Sequence, residues 1–189
     1  MNFSRFKNKF CRRPFERIEF YGNGITSFCC LDYLDDKIKI IGNYNKTDIL
    51  EIWNSTKIQE IRKSILDGSF KYCKHHLCPY LVNNDLPDKE HVQEEYLREI
   101  IDNNNVIIKN NPLQINICID YSCNLKCISC RSDFVKMASN DPDQDENITL
   151  LENIRKYFIY KNNHAHISLL GSGELFYSKS CRNFLFSLD

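Results

Sequence analysis

Three cysteines in the second half of the chain are spaced so that they can share one metal centre. Cys123, Cys127 and Cys130 stand in the order C-x3-C-x2-C within the segment YSCNLKCISC. Thiolates are soft ligands that favour iron–sulfur clusters or zinc. A structural zinc needs a fourth ligand, and this segment contains no histidine. Three thiolates on a four-iron cluster leave one iron open to a further ligand, so the triplet predicts a cluster with a chemical role.

A second set of cysteines lies in the first half of the chain. Its members are Cys11, the adjacent Cys29 and Cys30, Cys73, and Cys78 followed by a proline. Neighbouring residues of a strand face opposite sides, so Cys29 or Cys30, but not both, is expected to face a shared site. The set fits an iron–sulfur cluster or a zinc site that adds His75 or His76, and spacing alone does not separate iron from zinc. Cys118 and Cys181 are interpreted as small core residues.

Composition narrows the class of protein around these cysteines. Ten cysteines among 189 residues exceed ordinary core use, and in a reducing compartment they indicate metal or redox chemistry rather than disulfides. Lys and Arg number 25, as do Asp and Glu, so no net charge attracts nucleic acid or an anionic membrane. The first residues lack the apolar core of a signal peptide, and no apolar stretch is long enough for a membrane helix. We therefore expect a cytoplasmic protein with no nucleic-acid or membrane partner.

A β-hairpin and two helices are expected to position the first cysteine set. Apolar residues on both sides of the turn Gly22-Asn23-Gly24 predict the hairpin, and residues 37–41 predict a third extended piece. Two short amphipathic helices follow, one around Trp53 and one that stops at Gly68. A connecting helix is predicted between residue 88 and the Asn-rich segment that ends at residue 105.

Strands and helices alternate around the triplet. A strand over Leu113 to Asp120 leads into the triplet, a helix is predicted over Thr149 to Tyr160, and a second strand over His166 to Leu170. The loop Gly171-Ser172-Gly173-Glu174 comes next, followed by a helix near Ser178. This order is the unit of a parallel α/β sheet, in which functional residues lie at the carboxyl ends of the strands. Both loops are expected at such ends.

The triplet resembles the signature of the radical S-adenosylmethionine (radical SAM) superfamily, which carries three cysteines on the loop after the first strand of a partial or complete (β/α) barrel. The resemblance implies a [4Fe-4S] cluster bound with S-adenosylmethionine and reductive cleavage to a 5′-deoxyadenosyl radical that abstracts a substrate hydrogen. Gly171, Ser172, Gly173 and Glu174 resemble the glycine-rich motif that holds the methionine end of this cofactor. Ser129 stands where many members have an aromatic residue. In this respect the chain resembles a subset of the superfamily that has a polar residue at this position. No catalytic side chain is assigned.

The first cysteine set resembles the SPASM or twitch extension of radical SAM enzymes, a hairpin-and-helix unit that binds an auxiliary [4Fe-4S] cluster. The likeness rests on a cysteine before a hairpin, Gly24-x4-Cys29 on its return strand, two helices and C-x4-C-P. It implies the cluster ligands Cys11, Cys29, Cys73 and Cys78, with Cys30 as the substitute for Cys29. The extension usually follows the barrel, whereas here it precedes it.

The expected fold is α/β and has three parts. Residues 1–85 form a small α+β hairpin-and-helix cysteine domain, residues 86–111 a connecting helix and linker, and residues 112–189 the start of a radical SAM partial barrel with about two βα units. Because such enzymes bury their substrate in a larger barrel, the chain is expected to be a fragment or to be completed by another chain.

The expected function is that of a radical SAM enzyme acting on an unknown substrate, of the peptide or carbohydrate class by family analogy. Its implied partners are S-adenosylmethionine and an electron donor such as a flavodoxin or ferredoxin. The alternatives are a non-catalytic iron–sulfur protein for electron transfer or partner binding, and a zinc-binding interaction module.

Overall fold

The computed structural model of the chain describes residues 3–130, 132–136, 142–159, 164–169 and 173–188. Its strands are β1 (Arg17–Tyr21), β2 (Ile25–Ser27), β3 (Gly42–Asn43), β4 (Gln114–Cys118) and β5 (His166–Ser168). They form one open sheet in the order β3-β2-β1-β4-β5. The pairs β1–β2 and β2–β3 are antiparallel, whereas β4 pairs in parallel with both β1 and β5. The chain therefore has a mixed α/β fold, and the partial barrel stays a prediction.

Seven α-helices occur along the described parts of the chain. They are α1 (Arg13–Glu16), α2 (Ile49–Trp53), α3 (Thr56–Leu66), α4 (Pro79–Val82), α5 (Glu95–Asn103), α6 (Pro142–Ile154) and α7 (Lys179–Phe186). As the sequence predicts, α3 ends just before Gly68, whose φ of +76° is a conformation that suits glycine. No helix in the described ranges is long and apolar enough to cross a membrane.

The two faces of the sheet have different chemistry because successive side chains of a strand alternate. One face joins a hydrophobic core that includes residues of α2, α3, α6 and α7, and its central strands contribute Ile18, Phe20, Ile115 and Ile117. On the other face, the buried Glu19 carboxylate accepts hydrogen bonds from Arg17 Nε and from the Tyr21 hydroxyl, both at 2.5 Å. Cys181 is buried as expected, whereas Cys118 is only half-buried, because it is in register with Tyr21 on the polar face.

Several element boundaries differ from the sequence prediction. The connecting helix, predicted from residue 88, begins at Glu95. Residues 37–41 do not form the third strand, because Asp35 bends them into a turn: its carboxylate accepts from the Lys37 amide at 2.9 Å and its carbonyl from the Lys39 amide at 3.0 Å. The third strand is β3, immediately after them. The helix predicted from Thr149 begins already at Pro142, and a π-helical turn over Arg155–Ile159 continues it. Tyr160 and Leu170 lie outside the described residues.

One sheet joins the first and third predicted parts of the chain, since β1 pairs with β4 along its whole length. The segment between the parts is also held to the helices. Trp53 Nε1 donates to the Asn110 carbonyl at 2.9 Å, and the Asn54 side chain bonds both the amide and the carbonyl of Ile108 at 2.9 Å. The division into domains at residues 1–85, 86–111 and 112–189 stays a prediction.

Candidate metal centres

Four cysteines of the first set, Cys11, Cys29, Cys73 and Cys78, line one cavity. The cavity and its open mouth enclose about 410 Å³ that protein atoms do not fill. Most of the remaining wall is apolar and consists of Pro14, Phe28, Leu34, Ile65, Phe70, Leu81 and Leu86. The polar side chains in the wall belong to Arg13, Tyr33 and Tyr80. Thiol sulfurs are therefore the main metal-binding atoms that this cavity offers.

Short local turns bring these four cysteines together from distant points of the chain. Cys11 lies just before α1, and Cys29 lies just after β2. Cys78 is the N-cap residue of α4, whose first residue is Pro79, a common helix start because proline has no amide hydrogen to satisfy. Cys73 lies in a segment held beside residues 33–35, where the Asp35 amide donates to the Tyr72 carbonyl at 2.9 Å.

The choice between the adjacent Cys29 and Cys30 follows from their positions. Cys29 is buried and Cys30 is half-buried. Among the described residues that line the cavity, Cys29 is present and Cys30 is absent. This geometry favours Cys29 as the fourth member of the group, as the resemblance implies.

Burial makes thiolates costly in this cavity. It raises the pKa of Cys11 to about 12. Burial also raises the pKa of Cys73, with a further rise from the neighbouring sulfurs. The pKa of Cys29 is raised by burial as well, although the Arg13 guanidinium opposes that shift. Thiolate ligands of a metal need positive charge to offset such a cost, and the irons of a cluster carry it. The donor set therefore fits an iron–sulfur cluster.

The two histidines near Cys73 and Cys78 lie elsewhere. His75 Nε2 is 3.0 Å from the Phe70 carbonyl oxygen, and its ring contacts Phe6 edge to face. His76 is exposed. Neither histidine is among the described residues of the cavity wall. Across the described ranges, no three His, Cys, Asp or Glu side chains form a group arranged to hold a metal ion. The four cysteines thus surround the cavity without converging on one point, and a four-iron cluster needs no such convergence because each iron takes one thiolate.

The cysteine triplet lies on a loop directly beyond β4. The Cys123 amide donates to the Val135 carbonyl at 2.6 Å, and the Val135 amide returns a bond of 3.0 Å, so the two ends of the loop are joined. Cys123 is buried, whereas Cys127 and Cys130 are exposed in a turn closed by the Cys130 amide and the Cys127 carbonyl at 2.9 Å. The structure thus places all three thiols on one short loop, with one at its base and two at its outer end.

The loop after β5 touches the start of the triplet loop. The Glu174 amide donates to the Ser122 carbonyl at 2.8 Å. A Cβ added to Gly173 would lie 2.4 Å from the Ser122 oxygen, so only glycine allows this approach. The half-buried Glu174 carboxylate accepts from the Tyr177 amide at 2.8 Å. Gly171 and Ser172, the other two members of the predicted motif, lie outside the described residues.

Asp120 is a buried carboxylate beside these two loops, and the sequence analysis assigned it no role. Its Oδ1 accepts from the Ser122 amide at 2.8 Å, and its Oδ2 accepts from the hydroxyls of Ser178 at 2.5 Å and Ser180 at 3.3 Å. Ser178 also caps α7, where its hydroxyl accepts from the Cys181 amide. Asp120 therefore fixes the start of the triplet loop to the start of α7. An aspartate close after a strand, together with two serines at the start of a helix, was the available signal.

Residues 11–79 match the family model of the SPASM iron–sulfur cluster-binding domain. The match begins at Cys11 and extends one residue beyond Cys78, so it contains the whole first cysteine set. It supports the prediction of an auxiliary-cluster domain of the kind associated with radical SAM proteins. The triplet lies outside the match. Comparisons of the chain with curated proteins and with solved structures gave no match.

Proposed function

We propose that the chain is a cytoplasmic iron–sulfur protein of the radical SAM class. One cluster binds at Cys123, Cys127 and Cys130, and an auxiliary cluster binds at Cys11, Cys29, Cys73 and Cys78. The observation that carries the first assignment is the close approach of Gly173 to the Ser122 oxygen, because it joins the loops beyond two adjacent parallel strands. Ligands of open α/β sheets bind beyond the carboxyl ends of the strands, where these loops lie. The SPASM match supports the auxiliary part.

The triplet, the glycine-rich loop and Asp120 have distinct roles at the carboxyl ends of these strands. When bound there, the cluster and S-adenosylmethionine supply reductive cleavage to a 5′-deoxyadenosyl radical. Cys123, Cys127 and Cys130 would bind three irons of the cluster and leave the fourth for the methionine amino and carboxylate groups. The loop of Gly171, Ser172, Gly173 and Glu174 would hold that amino group, with the Glu174 carboxylate accepting a hydrogen bond from it. Asp120 positions the triplet loop through its bonds to Ser122 and Ser178.

The auxiliary cluster has a different task. Cys11, Cys29, Cys73 and Cys78 would give each of the four irons a thiolate and leave no iron open to substrate. Such complete ligation favours electron transfer over substrate binding, with a flavodoxin or ferredoxin as the expected donor to the protein. Peptides and carbohydrates are the substrate classes that family analogy suggests.

A non-catalytic iron–sulfur protein is the second candidate, favoured by one observation. The Glu174 carboxylate already accepts the Tyr177 amide, as a carboxylate with a purely structural task would do. The two functions differ in whether the reduced protein cleaves S-adenosylmethionine.

The test is an anaerobic assay of the reconstituted chain with S-adenosylmethionine and dithionite, in which 5′-deoxyadenosine is measured. We expect product from the native sequence and from Cys30→Ala, and none when Cys123, Cys127 and Cys130 are all changed to Ala. Both clusters present without 5′-deoxyadenosine would establish the non-catalytic function instead. Zinc without labile sulfide would establish the zinc-binding module.

A further inference from the structure

Arg13 acts on two of the four sulfurs that surround the cavity. Its Nη1 donates to Cys29 Sγ at 3.3 Å. The Arg13 backbone amide and guanidinium also oppose the rise in the pKa of the Cys11 thiol, so the residue acts on a second sulfur. The Arg13 side chain is also part of the cavity wall. One residue thus links the ligand before α1 with the ligand after β2.

Tyr80 fixes the direction of the Arg13 guanidinium. The Nη2 atom donates to the Tyr80 hydroxyl at 3.3 Å, and the guanidinium carbon lies 5.1 Å from the centroid of the tyrosine ring. Tyr80 is in α4, close after Cys78. The guanidinium is therefore held between the segment after β2, which contains Cys29, and α4, which follows Cys78.

The charge of Arg13 is directed at sulfur rather than at a carboxylate. Within the described residues, Arg13 forms no ion pair with an acidic side chain. The preceding Arg12 behaves differently, since it pairs with the carboxylates of Glu16 and Glu94. The two adjacent arginines are thus a natural pair of test and control positions.

We propose that Arg13 is a positioning residue that raises the reduction potential of the auxiliary cluster. This inference rests on the proposed function, because it requires a cluster at Cys11, Cys29, Cys73 and Cys78. Reduction adds one electron from an external low-potential donor and breaks no bond, so the cluster and its thiolates become more negative. A cation that donates to a ligand sulfur stabilises the reduced form more than the oxidised form, and hydrogen bonds to cluster sulfurs are known determinants of the potential.

The experiment measures the midpoint potential of the auxiliary cluster by anaerobic titration, with the reduced cluster followed by electron paramagnetic resonance (EPR). It uses the full chain with Cys123, Cys127 and Cys130 changed to Ala, so that one cluster gives the signal. In this background Arg13→Gln is expected to lower the equilibrium constant for reduction about tenfold, which is about 59 mV for one electron. Arg13→Lys and Tyr80→Phe are expected to give smaller changes in the same direction, and Arg12→Gln less than a twofold change.

Each other result decides against the inference. An Arg13→Gln protein with full iron content, and with an equilibrium constant for reduction within twofold of its parent's, would overturn it. If that variant does not fold, unchanged potentials in Arg13→Lys and Tyr80→Phe would overturn it too. Folded Arg13 variants that fail to hold iron, beside an Arg12→Gln control that holds it, would assign Arg13 to cluster assembly instead. A parent chain without iron would remove the proposed function itself.

Discussion

Tyr21, the last residue of β1, and Cys118, the last residue of β4, are partners in a parallel register. β2 runs antiparallel to β1, with Ser27 opposite Glu19, so Cys29 lies towards the amino end of β1. Cys11 and α1 precede β1 and lie at the same end. The triplet begins beyond Cys118, at the carboxyl end. The two cysteine sets therefore lie at opposite ends of the same parallel strands.

This separation predicts two magnetically independent clusters. The five residues of β1 alone span roughly 13 Å at about 3.3 Å per residue. Because exchange between cluster spins is small at such a distance, we expect the EPR spectrum of the fully reduced protein to match the sum of the spectra of two single-cluster variants, apart from slight dipolar broadening. One variant lacks the triplet thiols, and the other has Ala at positions 11, 29, 73 and 78. A strong splitting present only in the two-cluster protein would contradict the arrangement.

Gly173→Ala should weaken the binding of S-adenosylmethionine. The new methyl group would lie 2.4 Å from the Ser122 oxygen, so the two loops must separate, at a cost of about 1–3 kcal/mol. We expect about a tenfold loss of affinity, which corresponds to about 1.4 kcal/mol, measured by equilibrium binding to the reconstituted protein. The matched control is Gly22→Ala, where the added atom would be 3.4 Å from the Tyr121 ring, an ordinary contact. Unchanged affinity in Gly173→Ala would show that the loops do not act together on this ligand.

Glu174 can be tested for a role in cofactor binding by separating its charge from its structural hydrogen bond. Glu174→Gln keeps an oxygen that can accept the Tyr177 amide, whereas Glu174→Ala removes both. Hydrogen bonds to charged groups contribute about 1.5–3 kcal/mol, so both variants are expected to bind S-adenosylmethionine at least about tenfold more weakly. The iron content of Glu174→Gln should stay unchanged. If its affinity equals that of the native chain, or if its triplet cluster is lost, the residue has a structural role only.

Arg62 is predicted to be a major source of stability for the first half of the chain, which contains the first cysteine set. Its buried guanidinium donates to the carbonyls of Pro14, Trp53 and Val106 and to the Asn54 side chain, at 2.8–2.9 Å. Arg62→Met leaves these buried acceptors without their donors, and we expect a loss of about 3 kcal/mol in the free energy of unfolding.

Urea unfolding of the chain followed by circular dichroism measures the effect of Arg62→Met. Lys63→Met, at an exposed position of the same helix, is the control and should change stability by less than about 0.5 kcal/mol. Equal effects of the two substitutions would show that the Arg62 hydrogen bonds contribute little.

The sequence predicted those parts of the fold that depend on local signals. The turn Gly22-Asn23-Gly24 indicated the hairpin, and the spacing of Ile58, Ile61 and Ile65 indicated α3. The parallel pairing of β1 with β4 was not predictable, because neither strand contains a signal for a partner so distant in the chain. The exclusion of Cys30 from the cavity wall likewise depends on how residues 27–34 turn in three dimensions.

The most direct test of the two-cluster assignment is the amount of iron and acid-labile sulfide per chain after anaerobic reconstitution. We expect about eight irons in the native chain, and about four when Cys123, Cys127 and Cys130 are all Ala or when Cys11, Cys29, Cys73 and Cys78 are all Ala. Cys30→Ala, Cys118→Ala and Cys181→Ala are controls that should keep the native content. Zinc without sulfide, or iron that neither set of substitutions lowers, would contradict the assignment of two clusters to these two cysteine sets.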